Sequence, residues 1–160
     1  MFQHFLRLLD PPVVWMVRIH HSGASFIVAA MHQVPGGIYY EQRTPVVVEV
    51  QQPATLGAAF QTAFDAFSVV RDTDMSSMKK TDWPAYVASG MRSTTMFERA
   101  YTPICCAALN ASNAVVRASC VYPANPELEL STTFNPLSSP EEIGTALLRL
   151  ARAGVQEAGA

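Results

Sequence analysis

The groups in this sequence that could ligate a metal or attack a substrate are few: four histidines, three cysteines and a scatter of serines. Zinc needs three or four Cys, His or carboxylate ligands at suitable spacing. His20, His21 and His32 come closest, on neighbouring strands of an expected hairpin. Adjacent strand residues point to opposite faces, so only one of His20 and His21 could join His32, and no metal is expected. Cys105 and Cys106 sit among Ile104, Ala107, Ala108 and Leu109. A nucleophilic thiolate needs a basic or helix-terminal setting, so these two are expected to be buried structural thiols that label slowly. No serine stands in a GxSxG elbow, and the pair His20-His21 has no identifiable carboxylate partner. Gly36-Gly37 is an isolated turn without the spacing that aims several amides at phosphate. No spacing of carboxylates singles out an acid and a base. The expectation is a chain with no catalytic residue and no cofactor, hence not an enzyme.

What is left for function is recognition by the surface. Tyr39, Tyr40 and Glu41 follow the Gly-Gly turn, and the connector beyond the first long helix carries Asp72 and Asp74 with Met75 and Met78. Both sets combine aromatic or flexible apolar groups with negative charge, a mixture suited to protein partners. Tyr39 and Tyr40 should point to opposite faces of a strand, which puts one of them in the core.

Composition narrows the partner class. With 160 residues the chain fits a single domain spanning residues 1–160, and 49% hydrophobic against 15% charged residues supplies ample core. Net charge is −2 and the basic residues are scattered, so the Lys/Arg stripe of a direct nucleic-acid binder is missing. Residues 1–12 lack the basic-then-apolar order of a signal peptide, and no run approaches the roughly 18 apolar residues of a membrane span. Three cysteines make no complete disulfide framework, so a reducing, cytoplasmic home without a membrane is expected.

The elements that must position these residues are readable from period and punctuation. Residues 13–20 and 25–31 are β-branched and aromatic around a Ser-Gly turn, a hairpin signal; residues 38–40 and 46–50 add two short extended runs. After Pro53, residues Leu56, Phe60, Ala63, Phe64 and Phe67 fall on one helical face. Asp82 reads as an N-cap for a short helix through Trp83, Pro84, Tyr86 and Val87 that Gly90 ends. From Phe97 the pattern returns to strands, 100–109, 114–122 and 127–134, with 104–109 expected to be buried on both faces. Ser139, Pro140 and Glu142 have the form of a capping box opening a helix to about residue 153, with Arg149 and Arg152 near its end. The fold class is therefore α+β: a mainly antiparallel central sheet of about six strands, with two long helices and one short helix packed on it.

The two long helices share a pattern. Pro53 and Pro140, Leu56 and Ile143, Gly57 and Gly144, Ala59 and Ala146, and Phe60 and Leu147 are each 87 residues apart. A helical glycine costs about 1 kcal/mol relative to alanine, so finding it twice at one offset implies a close approach, expected against the sheet.

The phrases that carry this pattern also carry a family resemblance. Thr55-Leu56-Gly57-Ala58-Ala59-Phe60, Trp83-Pro84-Ala85-Tyr86-Val87 and Ser139-Pro140-Glu141-Glu142-Ile143-Gly144-Thr145-Ala146-Leu147, with the strands between, span residues 36–154. In order and wording they resemble the immunity proteins of bacterial contact-dependent growth-inhibition systems. That resemblance implies an intracellular protein, encoded beside a toxin, that binds the toxin's carboxy-terminal domain, often a nuclease, and neutralises it. The other classes that fit a small non-catalytic chain are a cytosolic secretion chaperone or adaptor. A small enzyme using the Cys or His residues is the third.

Overall fold

The computed structural model describes residues 13–71, 79–109, 115–122 and 125–157, with backbone only for Lys80, Tyr122, Asn125, Pro126 and residues 154–157. The candidates Asp72, Asp74, Met75 and Met78, and the expected turn at 110–113, lie outside the described residues.

Strand β1 (Trp15–His21) pairs antiparallel with β2 (Ser25–Val34) on one side and with β6 (Thr102–Ala108) on the other. The long β2 is flanked by β3 (Ile38–Glu41) along its second half and by β4 (Val46–Glu49) along its first. Beyond β6 come β7 (Val116–Tyr122) and β8 (Asn125–Phe134), so the order is β3-β2-β1-β6-β7-β8. The two-residue β5 (Ser68–Val69) adds a parallel bridge to β2, making eight strands among the described residues. The expected α+β class and mainly antiparallel sheet are what the structure has.

Helices α1 (Pro53–Asp65) and α4 (Pro140–Glu157) cover one face of this sheet. Alternation sends Val17, Ile19, Phe26, Val28, Ile104 and Cys106 to that face, where Leu56, Phe60, Ile143 and Leu147 meet them with at most 1% of their surface exposed. Burial of such side chains contributes about 1.5–3 kcal/mol each. Ser139 caps α4 as its sequence implies: Glu142 N–H donates to Ser139 Oγ at 3.3 Å and Ser139 N–H to Glu142 Oε2 at 3.1 Å. The helix runs on to Glu157, so Arg149 and Arg152 stand before the last turn, which holds no basic residue.

The paired glycines serve a purpose other than the expected one. A Cβ on Gly57 would overlap the carbonyl of Pro140, and a Cβ on Gly144 would overlap that of Pro53. Each glycine therefore admits the start of the other helix, not the sheet. Arg18 stands opposite Cys105 where β1 meets β6, again 87 residues apart. Residues 87 apart thus occupy matching places in β1 and β6 and in α1 and α4, so the centre of the sheet and the helix pair on it repeat one strand-and-helix arrangement.

Among the described residues the second face carries helices at one end only. Helices α2 (Pro84–Ser89) and α3 (Thr94–Ala100) lie over β1 and β2, burying Ile27 with Ala85, Phe97 and Tyr101. Phe97 is helical and not the start of a strand, because Ser93 caps α3 by accepting from Met96 N–H at 3.2 Å. No described helix lies over β6 on this face, and the strand alternates between buried Ile104, Cys106 and Ala108 and half-buried Pro103, Cys105 and Ala107. The expected burial on both faces does not occur.

Candidate functional site

Arg18 and His20 alternate with the core residues Val17 and Ile19, so they leave the face of β1 opposite α1 and α4. Met31 of β2 lies beside them, with Glu41 of β3 directly opposite it in register. Trp83 and Pro84, leading into α2, close one side; Tyr39, Tyr40 and Lys79 complete a cleft of about 390 Å³.

A buried, hydrogen-bonded His–Glu pair forms one wall. His20 and Glu41 are 3% and 9% exposed, and His20 Nε2 is 2.6 Å from Glu41 Oε1. Glu41 Oε2 accepts the Ala85 N–H at 3.0 Å, and Trp83 lines the cleft beside the carboxylate. Burial by itself would raise the Glu41 pKa. The hydrogen bond and charge of His20, with the Ala85 bond, outweigh it and hold the carboxyl below its ordinary value. An ionised carboxylate only accepts, so the Nε2 proton sits on His20.

This arrangement explains how α2 starts. Pro84 supplies no N–H, Trp83 provides no side-chain cap, and the first free amide, on Ala85, is taken by a carboxylate from another strand. Asp82, the N-cap expected from sequence, instead accepts the Lys79 N–H at 3.1 Å within a 3-10 turn at Lys80–Asp82. Gly90 ends the helix in the left-handed region at φ 66° as expected. The His20 ring lies 5.3 Å from both Trp83 and Phe97, so the pair is clamped by aromatic edges as well as by hydrogen bonds.

Of the sequence-derived candidates, Tyr39, Tyr40 and Glu41 are brought together. Neither tyrosine is core: both are half-buried and both line the cleft, because β3 is the last strand of the sheet and neither side of it is fully enclosed. Tyr39 Oη accepts the Val14 N–H at 3.2 Å, and the Tyr40 ring stands 6.1 Å from His32. The carboxylate partner of His20, Glu41, was not identifiable in the sequence. Arg18 and Lys79 were also missed, since Arg18 is a lone cation in an apolar run and Lys79, beside Lys80, falls in a polar connector.

The three histidines do not gather. His21 packs on Phe26 at 4.6 Å, on the side of the sheet away from His20, and burial lowers its pKa. Among the described residues no group of three or more His, Cys, Asp or Glu could hold a metal ion. Cys106 and Cys120 are buried and Cys105 is half-buried; burial first, then the neighbouring Cys105, pushes the Cys106 thiol up. No described helix is long and apolar enough to cross a membrane.

No protein-family model matches the sequence, and neither does any curated protein. Solved structures do match in fold. A protein of unknown function from Neisseria meningitidis superposes with a TM-score of 0.66 at 16% identity, over 90% of this chain and 96% of that one. A chain of the CdiA-CT/CdiI toxin and immunity complex from Yersinia pseudotuberculosis superposes with a TM-score of 0.63 at 13% identity, over 89% of this chain and 97% of that one. At these identities the likeness is one of fold, and it extends over nearly the whole of each chain.

Proposed function

We propose that this chain is a cytoplasmic immunity protein that binds the carboxy-terminal toxin domain of a contact-dependent growth-inhibition effector, a nuclease by preference, and neutralises it without catalysis. The observation that carries this reading is the near-complete superposition on a chain from a toxin and immunity complex. The helix phrases around Gly57 and Gly144 favour the immunity member of such a pair, and the structure gives them a shared mechanical role at the α1–α4 crossing. Neutralising a toxin requires a complementary surface with a few buried anchors, and the cleft beside β3 offers Arg, Tyr and Trp side chains of the types that dominate such anchors. The test is co-expression with the toxin domain encoded beside this chain. Survival and a co-purifying complex are expected; cell death equal to that without the chain, with no complex, overturns the reading.

A second reading has one observation behind it: His20 and Glu41 border a cleft, as an acid–base pair would. The geometry disfavours it. Glu41 Oε2 is taken by the Ala85 amide at the start of α2, which leaves Oε1 for His20 alone, and the imidazole is packed between aromatic rings. Full toxin protection by His20→Gln would exclude it, since such a variant has no acid–base group at that position.

A further inference from the structure

We propose that the cleft between β1 and α2 is a carboxylate-accepting anchor, taking an acidic side chain, Asp or Glu, that projects from the surface of the partner protein. This rests on the reading of the chain as a toxin-binding protein and names the chemistry by which one of its surfaces does so. Arg18 lies half-buried on the floor and Lys79 exposed at the rim, and neither side chain makes a hydrogen bond or ion pair among the described residues. Among the described residues the one carboxylate lining the cleft, Glu41, already accepts from His20 and Ala85. Two cations without a hydrogen-bond or ion-pair partner therefore face one carboxylate that is already hydrogen-bonded. The described lining thus carries more positive than negative charge although the chain as a whole carries −2.

The apolar walls make that charge effective. Met31, Tyr39, Tyr40 and Trp83 flank the cations, offering surface for the methylenes of a Glu and excluding water once covered. A charge pair gains strength as the local dielectric falls, and an arginine fork matches a carboxylate with two parallel hydrogen bonds. The volume of about 390 Å³ is small and the rim is open at Lys79. Small-molecule sites enclose most of their ligand. A cleft held open on one side suits a side chain delivered by a second protein surface.

The experiment has two arms. In the first, the free chain labelled with 15N is titrated with N-acetylglutamate methylamide or, as a neutral isostere, N-acetylglutamine methylamide. Saturable shifts of the Arg18 Nε and Trp83 indole signals by the acid alone are expected, with Lys79→Gln weakening them and Arg117→Gln, outside the cleft, leaving them unchanged. Equal shifts by both compounds, or none, overturn the proposal. In the second arm, affinity for the toxin domain is measured for wild type, Arg18→Gln and Lys79→Gln, with thermal melts showing that each variant is folded. Loss of about thirtyfold or more for Arg18→Gln is expected from leaving the partner's carboxylate buried without its cation. Because Lys79 is exposed, its variant keeps the test open if Arg18→Gln fails to fold. Unchanged affinity in a toxin that binds wild type overturns the anchor and leaves the immunity reading standing. A toxin that fails to bind wild type overturns the immunity reading itself. Inorganic phosphate or acetate saturating the same signals, with toxin affinity unaffected by either substitution, would mean a free-anion site and would also overturn the proposal.

Discussion

Gly57 brings its bare α-carbon against the carbonyl of Pro140, and the symmetry-like counterpart, Gly144 on Pro53, closes the crossing of α1 and α4 from the other side. Alanine at a helical position is ordinarily favoured over glycine by about 1 kcal/mol. At these two positions the sign should reverse, because the added methyl meets backbone that has no freedom to yield. Gly57→Ala and Gly144→Ala should each destabilise by about 1–3 kcal/mol, the usual cost of overpacking. Thermal melts should show a drop of about 2–4 °C per kcal/mol for a chain of this size. A rise in melting temperature for either variant would refute the close crossing.

Glu41 joins β3 to the start of α2, so its removal should be felt in the helix as well as in the sheet. Glu41→Ala leaves the His20 ring and the Ala85 amide without their acceptor. A buried donor left unpaired costs about 1–3 kcal/mol. Glu41→Gln, which keeps an acceptor oxygen, should cost less. Urea midpoints measure the total, and hydrogen exchange at Ala85 measures the local part. An alanine variant with a native midpoint and unchanged Ala85 protection would show that the pair does not hold α2.

Acid should weaken the fold in two stages. Burial lowers the His21 pKa from its ordinary 6.5, so below that value the unfolded chain takes up a proton that the folded chain resists, and stability falls. Glu41 titrates below its ordinary 4.5 in the folded chain, so its contribution is complete above that value and is lost as pH drops through the lower, folded one. Urea unfolding across this range should give a first decline beginning near 6.5 and a second below 4.5. His21→Phe should remove the first decline only. A stability that is flat between neutrality and the second decline would contradict the burial of a neutral His21.

What could be read in the chain without coordinates was local in origin. The stripes Leu56–Phe60 and Ile143–Leu147 declare themselves by helical period, and Ser139 with Glu142 by the three-residue spacing of a capping box. The offset of 87 residues revealed a repeated unit but not what the glycines touch, since a single helix cannot show whether its close neighbour is a sheet or another helix. The His20–Glu41 pair is different in kind. It depends on the β1–β2 register, the β2–β3 register and the docking of α2 at once. None of those is fixed by residues near His20. The α2 cap shows the same limit: Asp82 has the right residue type at the right place, yet a carboxylate 44 residues away in sequence occupies the amide.

The cysteines test how the second face of the sheet is covered. Cys106 and Cys120 alternate into the core beneath α1 and α4, whereas Cys105 stands on the other face, opposite Arg18, where no described helix lies over it. Only the thiolate reacts, and burial keeps Cys106 in the thiol form. A thiol reagent applied to the native chain should therefore modify Cys105 well ahead of the other two, which should react at the rate of unfolding. Peptide mass mapping assigns the sites, and Cys105→Ser should abolish the fast phase. If Cys106 or Cys120 labels as fast as Cys105, the helices do not seal that face. If Cys105 labels as slowly as its neighbours, something covers β6 on the side described as open. Because Cys105 adjoins the floor residue Arg18, a partner that fills the cleft should also slow its modification, so one thiol reports both on the bare sheet and on what comes to cover it.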